Sequence, residues 1–382
     1  MHSEKCVQSQ KEKEITIQVL QDELTALQLE LIQTEERINK VECENKTLVD
    51  RWMQKMNEEA EAMNEKIENE TKDHLEAAQI RVAECSIPVK FTPLATFHKG
   101  AVNCLAVTES TFATGGDDSL VCIYNLDSQE IKTKLQGSLK AITSLCYCPS
   151  NADLILGSSE DCIARIWGVS SGRIKHTFTG HVSRVNTAQF SENSVHVATG
   201  SHDRTIKIWD FSRGYCTRTI FAVSVTNDCK FINDGMISSA HLDQSLRFWD
   251  VQGGALVKEI PNYHAGQIVG IEKMDNEILT LGRDNKLNLM DLRTFSIIRS
   301  YHEESFSISS NYSKASFSPD GKFVISGGNG GFCFIWNKLD GTIVSRLNQH
   351  SSAIVSALWN PKGGPNIISC DQDGSMVLGS CE

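Results

Sequence analysis

The chain has 382 residues with 37 Lys and Arg against 48 Asp and Glu, a formal net charge of −11. With no basic stripe to neutralise phosphates, unspecific nucleic-acid binding is excluded and no nucleic-acid partner is predicted. All 26 glycines lie at Gly100 or later, while residues 1–90 hold one aromatic, Trp52, and 12 Lys and Arg against 20 Asp and Glu. An acidic, glycine-free arm therefore precedes a nearly neutral, glycine-rich body long enough to bury a large core.

No apolar run is long enough to span a membrane and the first residues lack a signal-peptide stretch, which predicts a soluble cytoplasmic protein. The 13 cysteines are odd in number and scattered, without a Cys-x-x-Cys pair. They read as reduced thiols, and no disulfide framework, metal or cofactor is predicted. Cys146 and Cys148, two apart on a predicted strand, read as packing.

After a short polar stretch, residues 1–14, a coiled coil is predicted over residues 15–85. Apolar positions step by three and four through Ile17, Leu20, Leu24, Leu27 and Leu31, then Thr34, Ile38, Val41, Asn45, Leu48 and Trp52. So narrow a stripe with acidic flanks cannot be buried by one helix alone, so the seam must face a second helix. Asn45, at a core position, finds its partner in an in-register parallel dimer with the same or a related chain. Beyond Trp52 the stripe is displaced to Met56, Ala60, Met63 and Ile67. A helix of about 100 Å, at about 1.5 Å per residue, follows. Pro88 ends it, having no amide hydrogen and biasing Ile87 away from helical angles.

Residues 86–97 read as a linker and closing strand, and residues 98–382 as a seven-bladed propeller. Segments equivalent to Ser201-His202-Asp203-Arg204-Thr205-Ile206-Lys207-Ile208-Trp209-Asp210 end at Tyr124, Trp167, Trp209, Trp249, Met290, Trp336 and Gly379, spaced 43, 42, 40, 41, 46 and 43 residues apart. Such a period, ending in Trp-Asp, marks WD repeats, each a four-stranded blade. An aspartate stands six residues before the terminal position at Asp118, Asp161, Asp203, Asp243, Asp284 and Asp373. His98, His181, His264 and His350 open repeats, and each imidazole is expected to bridge the aspartate to a Ser or Thr and the indole. Recurrence at a fixed blade position is a packing rule, so these groups are not read as catalytic. No Gly-x-Ser-x-Gly elbow, P-loop or His-Glu-x-x-His helix occurs, and a non-enzyme is predicted.

The fourth repeat lacks the opening His, and the sixth has Gly330 in place of the aspartate and extra residues around 303–311. Blades six and seven are expected to be the looser ones, with the loop a candidate partner contact. Val89 to Phe97 is expected to supply the outermost strand of the last blade, leaving no free edge.

The string Glu44-Asn45-Lys46-Thr47-Leu48-Val49-Asp50-Arg51-Trp52-Met53, followed by seven repeats, resembles the autophagy-related protein 16 family. Arg165-Ile166-Trp167 and His176-Thr177-Phe178-Thr179-Gly180-His181 are similar to its propeller. The resemblance implies a scaffold that dimerises through the coil and holds the conjugate of autophagy-related proteins 12 and 5 at the forming membrane. There the complex directs lipidation of a ubiquitin-like protein onto phosphatidylethanolamine. It also implies peripheral membrane association at the phagophore assembly site. Glu84 matches an acidic residue that binds a phosphoinositide-reading propeller partner in relatives. The positions of a Phe and a Lys that support vacuolar proton-pump binding in animal relatives are here Leu242 and Gln267. The family's conjugate-gripping N-terminal helix and long linker are expected to be absent, so conjugate binding is expected to be weak or to need a related chain. The alternatives are a signalling subunit like the G-protein beta chain, whose shorter helix pairs with a small partner, and a ubiquitin-ligase substrate receptor.

Overall fold

The computed structural model describes Lys40, Arg51, Lys55, Cys85 and residues 87–95, 97–308, 310–361 and 367–380. Contacts divide the chain into two units, Met1–Arg81 and Val82–Glu382. In the first, Lys40, Arg51 and Lys55 are helical and exposed. The seam residues Ile17, Leu20, Leu24, Leu27, Leu31, Ile38, Val41, Asn45, Leu48 and Trp52, and also Glu84, lie outside the described residues.

The second unit is a ring of seven four-stranded antiparallel sheets. Blade 1 runs outward through Val102–Val107, Thr111–Gly116, Val121–Asn125 and Ile131–Leu135. Blades 2 to 7 open on the inner strands Ile142–Cys148, Val185–Phe190, Thr226–Asn233, Ile268–Met274, Ala315–Phe317 and Ile354–Trp359. Successive strand residues face opposite sides, so each blade feeds two interfaces. In blade 3, Val197 and Trp209 pack toward blade 2 with Leu156, Ile166 and Phe178, whereas Ile206 and Ile208 pack toward blade 4 with Phe231 and Trp249.

Val89 to Leu94 closes the ring. The strand Lys90–Leu94 pairs with Met376–Ser380 of blade 7, in a register running from Lys90 opposite Ser380 to Leu94 opposite Met376. Pro93 is tolerated because this is the outermost strand, where a missing amide hydrogen breaks no second ladder. The incoming chain also explains Gly379, which stands where other repeats carry an aromatic. A Cβ there would meet Pro88 at 3.0 Å and Phe91 at 3.1 Å. Cys85, Ile87 and Phe91 fill that interface alongside Trp359 and Ile335, and the Cys85 amide donates to Asp320 at 3.0 Å.

The ring is also laced by polar side chains, a feature that repeat reading does not reveal. The inner strand pair slips register at Asn103, Thr143, Asn186 and Asn227 in blades 1 to 4. Each of these residues then bonds the carbonyl that opens the next blade's inner strand. Asn103 donates to Ile142 at 3.2 Å, Thr143 to Val185 at 2.6 Å, Asn186 to Thr226 at 2.8 Å and Asn227 to Ile268 at 2.8 Å. The bulge re-aims one side chain per blade across the interface.

Of the two blades expected to be looser, blade 6 is tied in through its loop. The inner strand of blade 6 is only three residues long, yet its leading loop is anchored in the core. Phe306 lies edge-on to Trp336 at 5.2 Å and to Phe334 at 5.3 Å, and Ile308 is buried beside them. At the missing aspartate, Gly330 has φ +77, and a Cβ on the neighbouring Gly331 would strike the His350 carbonyl at 1.9 Å. Glycine is required there because the turn runs against the next blade.

Candidate interaction face of the propeller

One face of the ring carries the loops from each outer strand to the next inner strand, together with the turn between each blade's second and third strands. The recurring polar residues converge on this face. In blade 3 the Trp209 indole donates to Thr199 at 2.8 Å, Thr199 contacts His181 Nε2 at 2.8 Å and His181 Nδ1 contacts Asp203 at 2.8 Å. A consistent donor order is indole N–H to hydroxyl, hydroxyl to Nε2, and Nδ1–H to carboxylate. Burial depresses the His181 pKa more than Asp203 raises it. Burial pushes the Asp203 carboxyl up, but hydrogen bonds from Thr205 and His181 outweigh it and hold it below the usual range.

Other blades keep parts of this arrangement. His98 bridges Asp118 at 2.9 Å to Thr114 at 2.8 Å, and His264 bridges Asp284 at 3.0 Å to Thr280 at 2.8 Å. Tyr124 and Met290 replace the indole in these two blades. Blade 7 corrects the sequence expectation: His350 bonds Asp371 at 3.0 Å, not Asp373. Asp371 ends the strand Ile367–Asp371, two residues earlier than the turn aspartate of other blades. The corresponding sites in blades 1 and 5 are Gly116 and Gly282, where a Cβ would meet the imidazole Nδ1 at 2.7 and 2.3 Å. A carboxylate rooted at that site reaches the imidazole directly. In blade 6, among the described residues, no imidazole meets Trp336, whose indole N–H is buried without a partner.

Blades 2 and 4, without an opening His, recruit arginine. Arg165 donates to Asp161 at 2.8 Å and to Ser138 at 3.3 Å. Arg247 grips both oxygens of Asp243, at 3.2 and 2.7 Å. The signal was present as Asp-x-x-x-Arg-x-Trp in both repeats. The indoles part company there: Trp167 donates to the Gln136 carbonyl at 2.9 Å, while Trp249 donates to Ser239 at 2.7 Å. Ser239 in turn meets Nε2 of the fully buried His241 at 2.7 Å. His241 supplies the imidazole of blade 4 from the second strand rather than from the opening loop.

These carboxylates also fix the loop tips. Asp118, Asp161, Asp203 and Asp284 accept the main-chain N–H of Lys99, Leu139, Val182 and Ala265 at 3.0 to 3.1 Å. Leu139 and Val182 thereby stand 82 % and 87 % exposed, and Val223 on the next loop is 74 % exposed. Leu242 lies on the adjacent turn of blade 4, exposed, and Gln267 donates to Asn311 at 2.9 Å beside the ring's central opening. Asn311 belongs to the long loop of blade 6, whose Tyr312 donates to Glu160 of blade 2 at 3.1 Å. The loop therefore crosses the mouth of the channel.

Deeper in the channel a hollow of about 480 Å³ is lined by charged pairs. Asp228 accepts from Thr187 at 2.8 Å and the Ile271 amide at 2.9 Å and pairs with Lys314. Glu272 pairs with Lys230 at 3.1 Å. Burial pushes the neighbouring thiols up, Cys229 and Cys370 to about 12, so they are protonated at neutral pH and poor nucleophiles. Cys148 contacts Ser194 at 3.4 Å, which is packing. Among the described residues no group of three or more His, Cys, Asp or Glu side chains could hold a metal ion.

Comparison with known proteins accounts for both parts of the chain. The family model for autophagy protein 16 matches residues 4–64. The model for the WD domain, G-beta repeat, matches residues 91–125, 129–168, 172–210, 299–337 and 341–378. Protein tipD of Dictyostelium discoideum is 35% identical over 96% of this chain and 67% of its own length. Autophagy-related protein 16 of Arabidopsis thaliana is 32% identical over 95% of this chain and 76% of its own. Autophagic-related protein 16.2 of Caenorhabditis elegans is 29% identical over 74% and 54%. With an N-terminal family segment followed by a seven-bladed WD-repeat ring, and relatives matched along almost its whole length, this chain belongs to the autophagy protein 16 family.

Proposed function

We propose that this chain is a non-enzymatic scaffold of autophagosome formation, dimerising through residues 15–85 and bringing the conjugate of autophagy-related proteins 12 and 5 to the membrane for lipidation of the ubiquitin-like protein. A role in autophagy follows from the family; the division of labour is the proposal. Its principal support is the match of residues 4–64 to the family model, a segment that contains the whole heptad seam and the Arg51-Trp52-Met53 string. The fixed loop tips of the propeller add a second surface, suited to protein contact because three successive loops expose an aliphatic side chain. Glu84 is proposed as a contact for a phosphoinositide-binding propeller protein, and Leu242 and Gln267 as part of the propeller's partner surface.

The test is rescue of cells lacking their own family member. Wild-type chain should restore the lipidated ubiquitin-like protein and co-purify with the conjugate, directly or through a related chain, while Leu27→Pro should restore neither. Normal lipidation with Leu27→Pro would sink the coil-based mechanism.

A further inference from the structure

The mouth of the central channel is divided by charge. One half is lined by Asp117, Glu160 and Asp373 with Lys140. The other is a hollow of about 280 Å³ containing Arg184, Asn186, Asn227, Arg283, Asn311 and Tyr312, with no carboxylate in its wall. Its guanidiniums are incompletely used. Arg283 donates one N–H to the Ile308 carbonyl at 2.9 Å and forms no ion pair among the described residues. Arg184 approaches Glu160 only to 3.6 Å, and its Nε is buried without a partner among the described residues. Asn186 and Asn227 each spend one amide hydrogen on lacing the ring and keep a second.

We propose that this basic half is a binding subsite for a phosphate monoester carried by a peptide partner, gripped by Arg184 and Arg283. Two guanidiniums match the −1.5 to −2 charge of such a group, about twice that of a carboxylate. The amides of Asn186, Asn227 and Asn311 offer donors for a third oxygen, which a carboxylate lacks. The surroundings favour a peptide over a lipid headgroup. Leu139, Val182 and Val223 stand exposed on successive loops of the same face, ready to cover flanking side chains. Asp117, Glu160 and Asp373 across the mouth repel an anionic membrane and complement a cationic residue of the same peptide. Burial and the Glu160 carboxylate push the Tyr312 phenol up, leaving it a neutral donor between the two halves.

The experiment is calorimetric titration of the full chain with the capped tripeptide Ala-phosphoserine-Ala, its unphosphorylated and glutamate counterparts, inorganic phosphate, and vesicles of phosphatidylcholine with phosphatidylserine. The phosphoserine peptide should bind saturably and more tightly than the glutamate peptide, with the unphosphorylated peptide silent. Arg283→Gln and Arg184→Gln should each weaken it about tenfold or more, the loss of one charge-assisted contact. Arg173→Gln, an exposed arginine outside the hollow, should change nothing. Because Arg283 also holds the Ile308 carbonyl, Arg184→Gln, which breaks no main-chain bond, gives the independent reading. Unaltered phosphopeptide binding by Arg184→Gln, or no saturable binding by the wild type, would overturn the proposal. So would inorganic phosphate binding as tightly as the peptide, or arginine-dependent vesicle binding in its place.

Discussion

Around Asp203 four donors meet one carboxylate: the His181 ring, the Val182 amide, the Thr205 amide and the Thr205 hydroxyl. Asp203→Ala should therefore lower stability by about 1–3 kcal/mol, the cost of leaving buried polar groups unpaired. It should also release the Val182 tip. An unchanged Tm by calorimetry would show that the network contributes nothing. His241 makes a sharper pH prediction. Burial, aided by the charge of Arg247, lowers its pKa to about 4, well under the ordinary 6.5. The unfolded chain takes a proton as pH falls through 6.5, whereas the folded chain resists until about 4, so the stability from neutral His241 is full above 6.5 and lost across that window. The loss is on the order of 3 kcal/mol at about 1.4 kcal/mol per pH unit. His241→Gln should flatten the dependence of urea-unfolding stability on pH between 6.5 and 4, and an identical slope in the variant would refute this assignment.

At the scale of strands and blades, the repeat period, the four strands per blade and the strand that closes the ring were legible because each is written in residue type and spacing. What was not legible is where one role is filled from a different place. A carboxylate two residues early, Asp371, reaches His350 as well as a turn aspartate would, since both sites border the same imidazole. Arg165 and Arg247 close on their aspartates without a histidine, and Phe306 reaches its indole from a loop whose length had suggested surface. Fixed-position alignment cannot see such exchanges, because packing conserves contacts rather than columns. Gly379 is the same lesson in reverse, its missing side chain being supplied by Pro88 and Phe91. Gly379→Leu should wedge the incoming segment off blade 7 and cost about 1–3 kcal/mol as an overpacked site. Amide hydrogen exchange should accelerate first at Val89, which bonds the Ser380 carbonyl at 3.0 Å. Uniform acceleration around the ring would mean that closure is not the weak point.

For the whole molecule the decisive question is how many chains assemble. The propeller closes on itself through Lys90–Leu94 and seven apolar interfaces among the described residues, so it needs no second copy to bury its core. The pattern of residues 17–52 is different, because an amphipathic stripe this narrow gains burial only from another helix. The two requirements separate in one experiment on the full chain. Sedimentation equilibrium at micromolar concentration should give the mass of two chains for the wild type. Leu27→Pro, which costs about 3 kcal/mol or more in a helix interior, should give the mass of one. The Tm of the propeller should be the same in both, since its closure does not draw on the seam. Asn45→Leu should instead strengthen association while loosening its register, because a buried amide trades stability for alignment. A cysteine placed at position 41 of both the wild-type and the Asn45→Leu chains would report that register through disulfide yield. A single-chain mass for the wild type would remove self-pairing from the mechanism and leave a partner's helix as the only way to cover the stripe.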